Sequence, residues 1–249
     1  MSNKIHHTAV VHSSAKIHEG VEIGAFSIIH SNVILGENTY VGSHCELGIP
    51  TKLGDQSALI IGSNSTIRSH SIFYESSTFG EGLMTGHRVT VREKTTAGKN
   101  LQIGTLSDIQ GDCSFGDYVR LHSNVHIGKM SRLEDFVWIF PFVVLTNDPT
   151  PPSDNLLGVT IEKFAIVATM AVILPGVKVG RHALVAAHAC VGKDVPPQMI
   201  AAGVPSKILG PTSNIKQIGN SNESAYPWPK HFRRGYPDEI TNCWDEEFQ

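Results

Sequence analysis

Aromatic residues are scarce in this chain: Phe, Trp and Tyr make up 7% of 249 residues. That is a poor recipe for a core built on bulky rings. Charge is thin as well, at 17% with a formal net charge of −3, so nothing steers the chain toward nucleic acid or an anionic membrane. No apolar run reaches the length that spans a bilayer, and the N-terminal MSNKIHHTAVVHSSAK has no apolar stretch of the kind a secretory leader carries. These absences predict a cytosolic protein. The four cysteines, Cys45, Cys113, Cys190 and Cys243, lack CxxC spacing, which argues against a disulfide framework or a zinc knuckle.

What the chain has is a period of six. Aliphatic residues recur from Val11 through Ile17, Ile23, Ile29, Leu35 and Val41 to Leu47. After a two-residue insertion they resume at Ile61 and run to Leu145, then return at Ile161 and end at Val191, giving 28 hexads in three blocks. The residue after each aliphatic is glycine in 13 of them; even spreading would put roughly three there. The fifth position is small or β-branched, as at Ser27, Thr39, Ser65, Val125 and Ala171. Cys45 and Cys113 fall in this slot, where a free thiol acts as a small hydrophobe.

A six-residue unit of short strand plus turn, three to a coil, predicts an all-β fold: a left-handed parallel β-helix of hexapeptide repeats. About nine coils at the usual strand spacing make a prism roughly 40 Å long. Position one points inward, position five fills the corner, and the glycine at position two is expected to permit the bend. The helix occupies residues 1–209 and a C-terminal extension residues 210–249.

Chemistry in a solenoid gathers where the repeat is interrupted. The main interruption, residues 146–158, contains three prolines and reads as a stiff protruding arm. A smaller bulge covers residues 46–54. In the extension, Tyr226, Trp228, Phe232 and Trp244 are expected to fold back onto the prism or a neighbouring subunit.

The runs ATMAVILPGV (168–177) and AAGVPSKIL (201–209) resemble the closing coils of hexapeptide acyltransferases. TGHRVTVRE (85–93), SNV (123–125) and VLTND (144–148) are similar to the subgroup that N-acylates nucleotide-linked amino sugars, nearest to the dTDP-3-amino-3,6-dideoxyhexose enzymes. The resemblance spans roughly residues 10–210. It implies a homotrimer that binds acetyl-CoA between adjacent prisms, uses no metal, and acylates the amino group of a nucleotide sugar. Members often carry an acidic residue in the turn after the strand matched by Val125–Ile127, where this chain has Gly128 and Lys129.

Amide formation from a thioester needs a neutral amine held near the carbonyl and somewhere for its proton to go. Asn147 and Asp148, at the mouth of the arm, are candidates to hold the amino sugar. His126, pointing outward at position six, is a candidate general base. His87, Glu93 and Asn124 are candidate substrate contacts. For CoA, Ala168 and Ala186 are expected to leave backbone groups open to the pantetheine, and Pro205 and Lys207 to meet the adenine and phosphates. Since the Gly128–Lys129 turn lacks a carboxylate, the favoured expectation is that positioning and the departing thiolate suffice without a base. The rivals are an O-acetyltransferase with a histidine base, a zinc enzyme of the carbonic-anhydrase type, and a purely structural β-helix. The histidine spacings disfavour zinc: three residues separate His122 from His126, and five separate His182 from His188, where that type has four.

Overall fold

Consecutive hexads lie on three different sides of a prism, so each strand pairs with the one 18 residues away, as Asp108 does with His126. The computed structural model describes residues 2–247. Three parallel sheets enclose the core: face one runs from Lys4–Ile5 to Met199–Ala202, face two from Val10–Val11 to Cys190–Val191, and face three from Lys16–Ile17 to Lys178–Val179. This is the left-handed parallel β-helix that the period predicts. Face one holds eleven parallel strands, closed by an antiparallel edge at Lys207–Pro211, against an expected nine coils. The additional strands are Lys4–Ile5 and Met199–Ala202, which pair outside the strictly periodic blocks.

Each regular strand is short, and its second residue points inward. Val41, Ile67, Ile109, Leu145 and Val185 are fully buried, and the fifth-position residues Ser27, Thr39, Cys45 and Cys113 are buried beside them. Several corner hydroxyls donate to corner carbonyls, as Ser27 Oγ does to Gly42 O at 2.7 Å and Ser131 Oγ to Gly128 O at 2.7 Å. The inward slot thus stays polar-satisfied while remaining narrow. Burial pushes the Cys113 thiol up to about 12, in keeping with a structural cysteine.

The bend is made differently from the sequence expectation. The left-handed residue sits at position four: Phe26 (φ 58°), His44 (58°), Asn124 (58°), Phe142 (62°) and Met170 (61°) all adopt it. The position-two glycines serve close stacking instead. A Cβ on Gly62 would lie 2.4 Å from the Gly80 carbonyl carbon, and one on Gly104 2.3 Å from that of His122. Adjacent coils leave no room there for a side chain.

Large side chains tolerate position four because they stack along the corner. Between faces three and one, Tyr118 stacks on Phe136 (5.5 Å), Phe136 on Phe164 (5.0 Å) and Phe164 on His182 (4.8 Å), the planes within 12° of parallel. The C-terminal extension seals this ladder. Trp228, Tyr236 and Trp244 form a second core with it, Trp228 Nε1 donates to Phe164 O, and Trp138 Nε1 donates to Tyr236 Oη. Tyr226 and Phe232 pack at its margin. The four aromatics therefore fold back onto their own prism. Helix α1 (Asp238–Glu247) ends the described chain, and among the described residues no helix is long and apolar enough to cross a membrane.

Two substitutions separate stacking from bending. Gly62→Ala is expected to cost about 1–3 kcal/mol, since backbone lies on the far side of the clash. Gly192→Ala, whose Cβ would meet only Leu174 Cδ1 at 3.2 Å, is expected to stay within about 0.5 kcal/mol of the parent. Denaturant midpoints measured side by side check this, and equal losses would disprove it.

Candidate active site

Because position six points outward on every strand, residues 18 apart stand side by side on one face. His126 and Asp108 occupy that relation on face two. His126 Nδ1 lies 3.1 Å from Asp108 Oδ2, and both side chains are more than a third exposed. The Gln110 amide donates to the same carboxylate oxygen. The His126 imidazole, with Gln110 adding to it, holds Asp108 below the usual carboxylate range against the opposing effect of burial. An imidazole whose Nδ1–H is held by a carboxylate presents its Nε2 lone pair outward, poised to accept a proton.

The missing carboxylate at Gly128–Lys129 is thus supplied one coil away. Lys129 is itself paired with Asp112 at 2.9 Å. A histidine–carboxylate pair therefore stands here, its acid coming from the neighbouring coil rather than the adjoining turn. The 18-residue spacing contained that signal.

Asn147 follows the strand beside His126: Val144 pairs with His126, and Asn147 Cβ lies 3.3 Å from the point a Cβ on Gly128 would occupy. Its carbonyl accepts from Leu157 N–H at 2.8 Å, closing the base of the arm. Asp148 turns inward to the arm, accepting from the Thr150 and Ser153 amides and from Ser153 Oγ. These bonds, the Ser153 hydroxyl foremost, hold its carboxyl low. Asp148 therefore shapes the arm. The arm overhangs a groove of about 1010 Å³ lined by Asp112, Lys129, Arg132 and Leu157.

His87 and Glu93 do not form a pair. One hexad apart places them on successive corners. His87 is exposed between faces one and two and shares a hydrogen bond with Ser69 Oγ at 2.7 Å. The Glu93 side chain is 1% exposed and faces Arg92 at 3.3 Å, a buried structural ion pair rather than a solvated contact. Asn124 shares the His87 corner, and its left-handed backbone alone accounts for the residue type. It remains half-exposed, two residues before His126.

Further along that corner lie Ala168 and Ala186. Their N–H groups are engaged by the carbonyls of Val185 and Ala201. The turn carrying Pro205 docks beside them: Cys190 N–H donates to Gly203 O, and Ser206 N–H donates to Cys190 O. Pro205 and Lys207 are exposed. One edge of the prism therefore carries His87, Asn124, Ala168, Ala186 and Pro205, with His126 just around it. Among the described residues no three His, Cys, Asp or Glu side chains are grouped to hold a metal ion.

The family described as bacterial transferase hexapeptide (six repeats) matches residues 14–48. The match covers a small part of the chain, and the fold itself is carried by the three parallel sheets. The chain is a hexapeptide-repeat, left-handed parallel β-helix protein. A 2,3,4,5-tetrahydropyridine-2,6-dicarboxylate N-acetyltransferase of Staphylococcus aureus (strain JH9) is 36% identical over 93 residues, 37% of this chain and 33% of that protein; the match spans a third of the relative's length. Two solved structures share the fold across nearly the whole hexapeptide-repeat chain. A UDP-N-acetylglucosamine acyltransferase from Campylobacter jejuni covers 98% of it and 83% of its own length, with a TM-score of 0.54 and 18% identity. Its counterpart from Bacteroides fragilis 9343 covers 98% and 84%, with a TM-score of 0.54 and 20% identity.

Sequence reasoning missed Asp108, and also a cleft between face one and the extension, treated below. Asp148 gives a direct test of the arm. Asp148→Ala is expected to leave the melting temperature nearly unchanged while exposing residues 149–156 to limited proteolysis; an arm as resistant as the parent's would show that the carboxylate does not order it.

Proposed function

We propose that this protein is an acyl-CoA-dependent N-acyltransferase, moving an acetyl group from acetyl-CoA to the amino group of a nucleotide-linked amino-dideoxy sugar, of the dTDP-3-amino-3,6-dideoxyhexose kind. The observation that carries it is the His126–Asp108 pair on the prism edge that also bears Ala168, Ala186 and Pro205. The family match and the acyl-transfer names of the relatives support the reaction class.

The residues divide the task. Asp108 orients the imidazole of His126, whose Nε2 takes a proton as the sugar nitrogen bonds to the thioester carbonyl carbon. Collapse of the tetrahedral centre breaks the carbon–sulfur bond, and the thiolate leaves with the electron pair, receiving the proton back from His126. Asn124, two residues before His126, and Asn147, just past the adjoining strand, position the acceptor, a role worth much of the rate. Lys207 meets the CoA phosphates as a point charge.

Self-association has support in the corner between faces one and two. Its left-handed residues Phe26, Leu106, Phe142 and Met170 are 58%, 50%, 50% and 44% exposed, whereas the extension covers the equivalent ladder on the next corner. They share the corner with His44, His70, Arg88, Asn124 and His188, and a mixed surface of this kind suits contact with a second copy, in keeping with a homotrimer holding acyl-CoA between prisms. A hydroxyl acceptor is the second reading, favoured by the same His126–Asp108 pair, because an alcohol needs a base more than an amine does.

Mass spectrometry of products from acetyl-CoA with a panel of amino-sugar and hydroxyl-sugar nucleotides separates the two acceptors; acetylation of neither class overturns both readings. With the preferred acceptor, His126→Asn is expected to lower kcat about 10²–10⁴-fold while the oligomer stays intact. A loss below tenfold would return the chemistry to positioning and the thiolate alone. Lys207→Ala is expected to raise the KM for acetyl-CoA about tenfold and leave that for the acceptor unchanged; an unchanged KM for acetyl-CoA would remove Lys207 from the CoA site.

A further inference from the structure

The C-terminal extension builds one wall of an open cleft of about 690 Å³ on face one. Three arginines from separate stretches line it: Arg68 and Arg120 from the prism and Arg234 from the extension, with no Asp or Glu among the lining residues. None of the three forms a salt bridge among the described residues. Arg120 is fixed in place, lying 4.7 Å from the Trp138 ring centroid and 4.3 Å from that of Tyr236, and donating to Gly235 O at 3.0 Å. Three like charges around one concavity repel each other, and their summed field draws an anion.

The cleft also offers flat apolar surface. Phe232 packs edge-on against Trp138 at 5.4 Å, and His122 stacks on Phe140 at 4.7 Å. Burial, with Arg120 adding to it, keeps His122 below the ordinary imidazole range, which favours the neutral ring. Guanidinium forks match phosphate oxygens two at a time, and ring faces stack on a nucleobase. Together these groups recognise a base joined to phosphates.

We propose that this cleft binds the nucleoside diphosphate of the acceptor, with Arg68, Arg120 and Arg234 on the phosphates and the base against Phe232 and His122. The proposal deepens the acceptor reading and rests on it for the sugar. Ser123 lines the cleft and His126 follows three residues later, at most about 10 Å along the chain, within reach of a sugar hung on the diphosphate. The adenosine phosphates of CoA present similar chemistry, and the experiment separates the two sources.

The full-length protein is titrated calorimetrically with dTDP, with UDP and with CoA, for the parent, Arg68→Glu and Arg234→Glu. Both arginines are exposed, and circular dichroism checks that each variant keeps the parent's fold. The expected result is that a nucleoside diphosphate binds the parent, weakens tenfold or more in each variant and weakens with added salt, while CoA binding is unchanged. Binding of neither dTDP nor UDP to the parent would overturn the proposal. So would unaltered nucleoside diphosphate affinity in both variants, or a loss confined to CoA. The acceptor reading fails separately: if the variants lose the nucleoside diphosphate yet no amino-sugar nucleotide is acylated, the cleft stands and that reading falls. If acylation proceeds with an unchanged acceptor KM in both variants, the reading stands and the cleft assignment falls.

Discussion

The close approach of successive coils at the corners governs this molecule. Strands stack at about 4.8 Å, and at position two that spacing leaves no volume for a Cβ above Gly24, Gly62 or Gly104. Two residues later the residue at position four takes the left-handed conformation, whether position two is glycine, as before Phe26, or not, as before Asn124 and Phe142. Such a conformation costs an L-residue of order 1–3 kcal/mol. Side-chain stacking along the corner offsets it, which is why Phe, Met and Leu appear where Asn or Gly would be the ordinary choice.

Those corner ladders then decide what becomes of each edge. Between faces three and one, the rings of Tyr118, Phe136 and Phe164 offer a continuous apolar strip, and Trp228, Tyr236 and Trp244 cover it. The covering segment carries Gly235 and Arg234 to face one, where Arg120 is clamped between two rings. Between faces one and two the corner alternates apolar residues such as Phe26 and Leu106 with polar ones such as Arg88 and Asn124, and the candidate CoA contacts and His126 lie along or beside it. One corner binds the chain to itself while the other faces outward.

The architecture was legible because its signal repeats: an inward aliphatic such as Val41, Ile67 or Val185 marks every strand, and each recurrence strengthens the reading. The role of glycine was misjudged, because composition shows that a small residue is needed without showing whether sterics or dihedral angle demands it. His126 was identified and its partner was not. Asp108 lies 18 residues back, and the search for an acid went along the chain rather than across the coils. Glu93, one hexad from His87, lies at another corner of the prism with its side chain buried against Arg92. The arginine cleft lay beyond reach altogether: Arg234 meets Arg68 and Arg120 only because aromatic packing seats the extension, and no periodicity encodes that docking.

The three-sided register also sets which length changes this protein can survive. Removing a whole coil of 18 residues from the regular part would shorten the prism yet return every later side chain to its own face. Removing a single hexad would keep the inward pattern of aliphatics intact, so the core would still close. Everything downstream would nevertheless turn by one side relative to everything before the cut, separating Asp108 from His126 if it fell between them, or the extension from part of the ring ladder if it fell within the ladder. Foldability and function would thus part company under deletions of different size: the core counts in sixes, and the candidate site counts in eighteens.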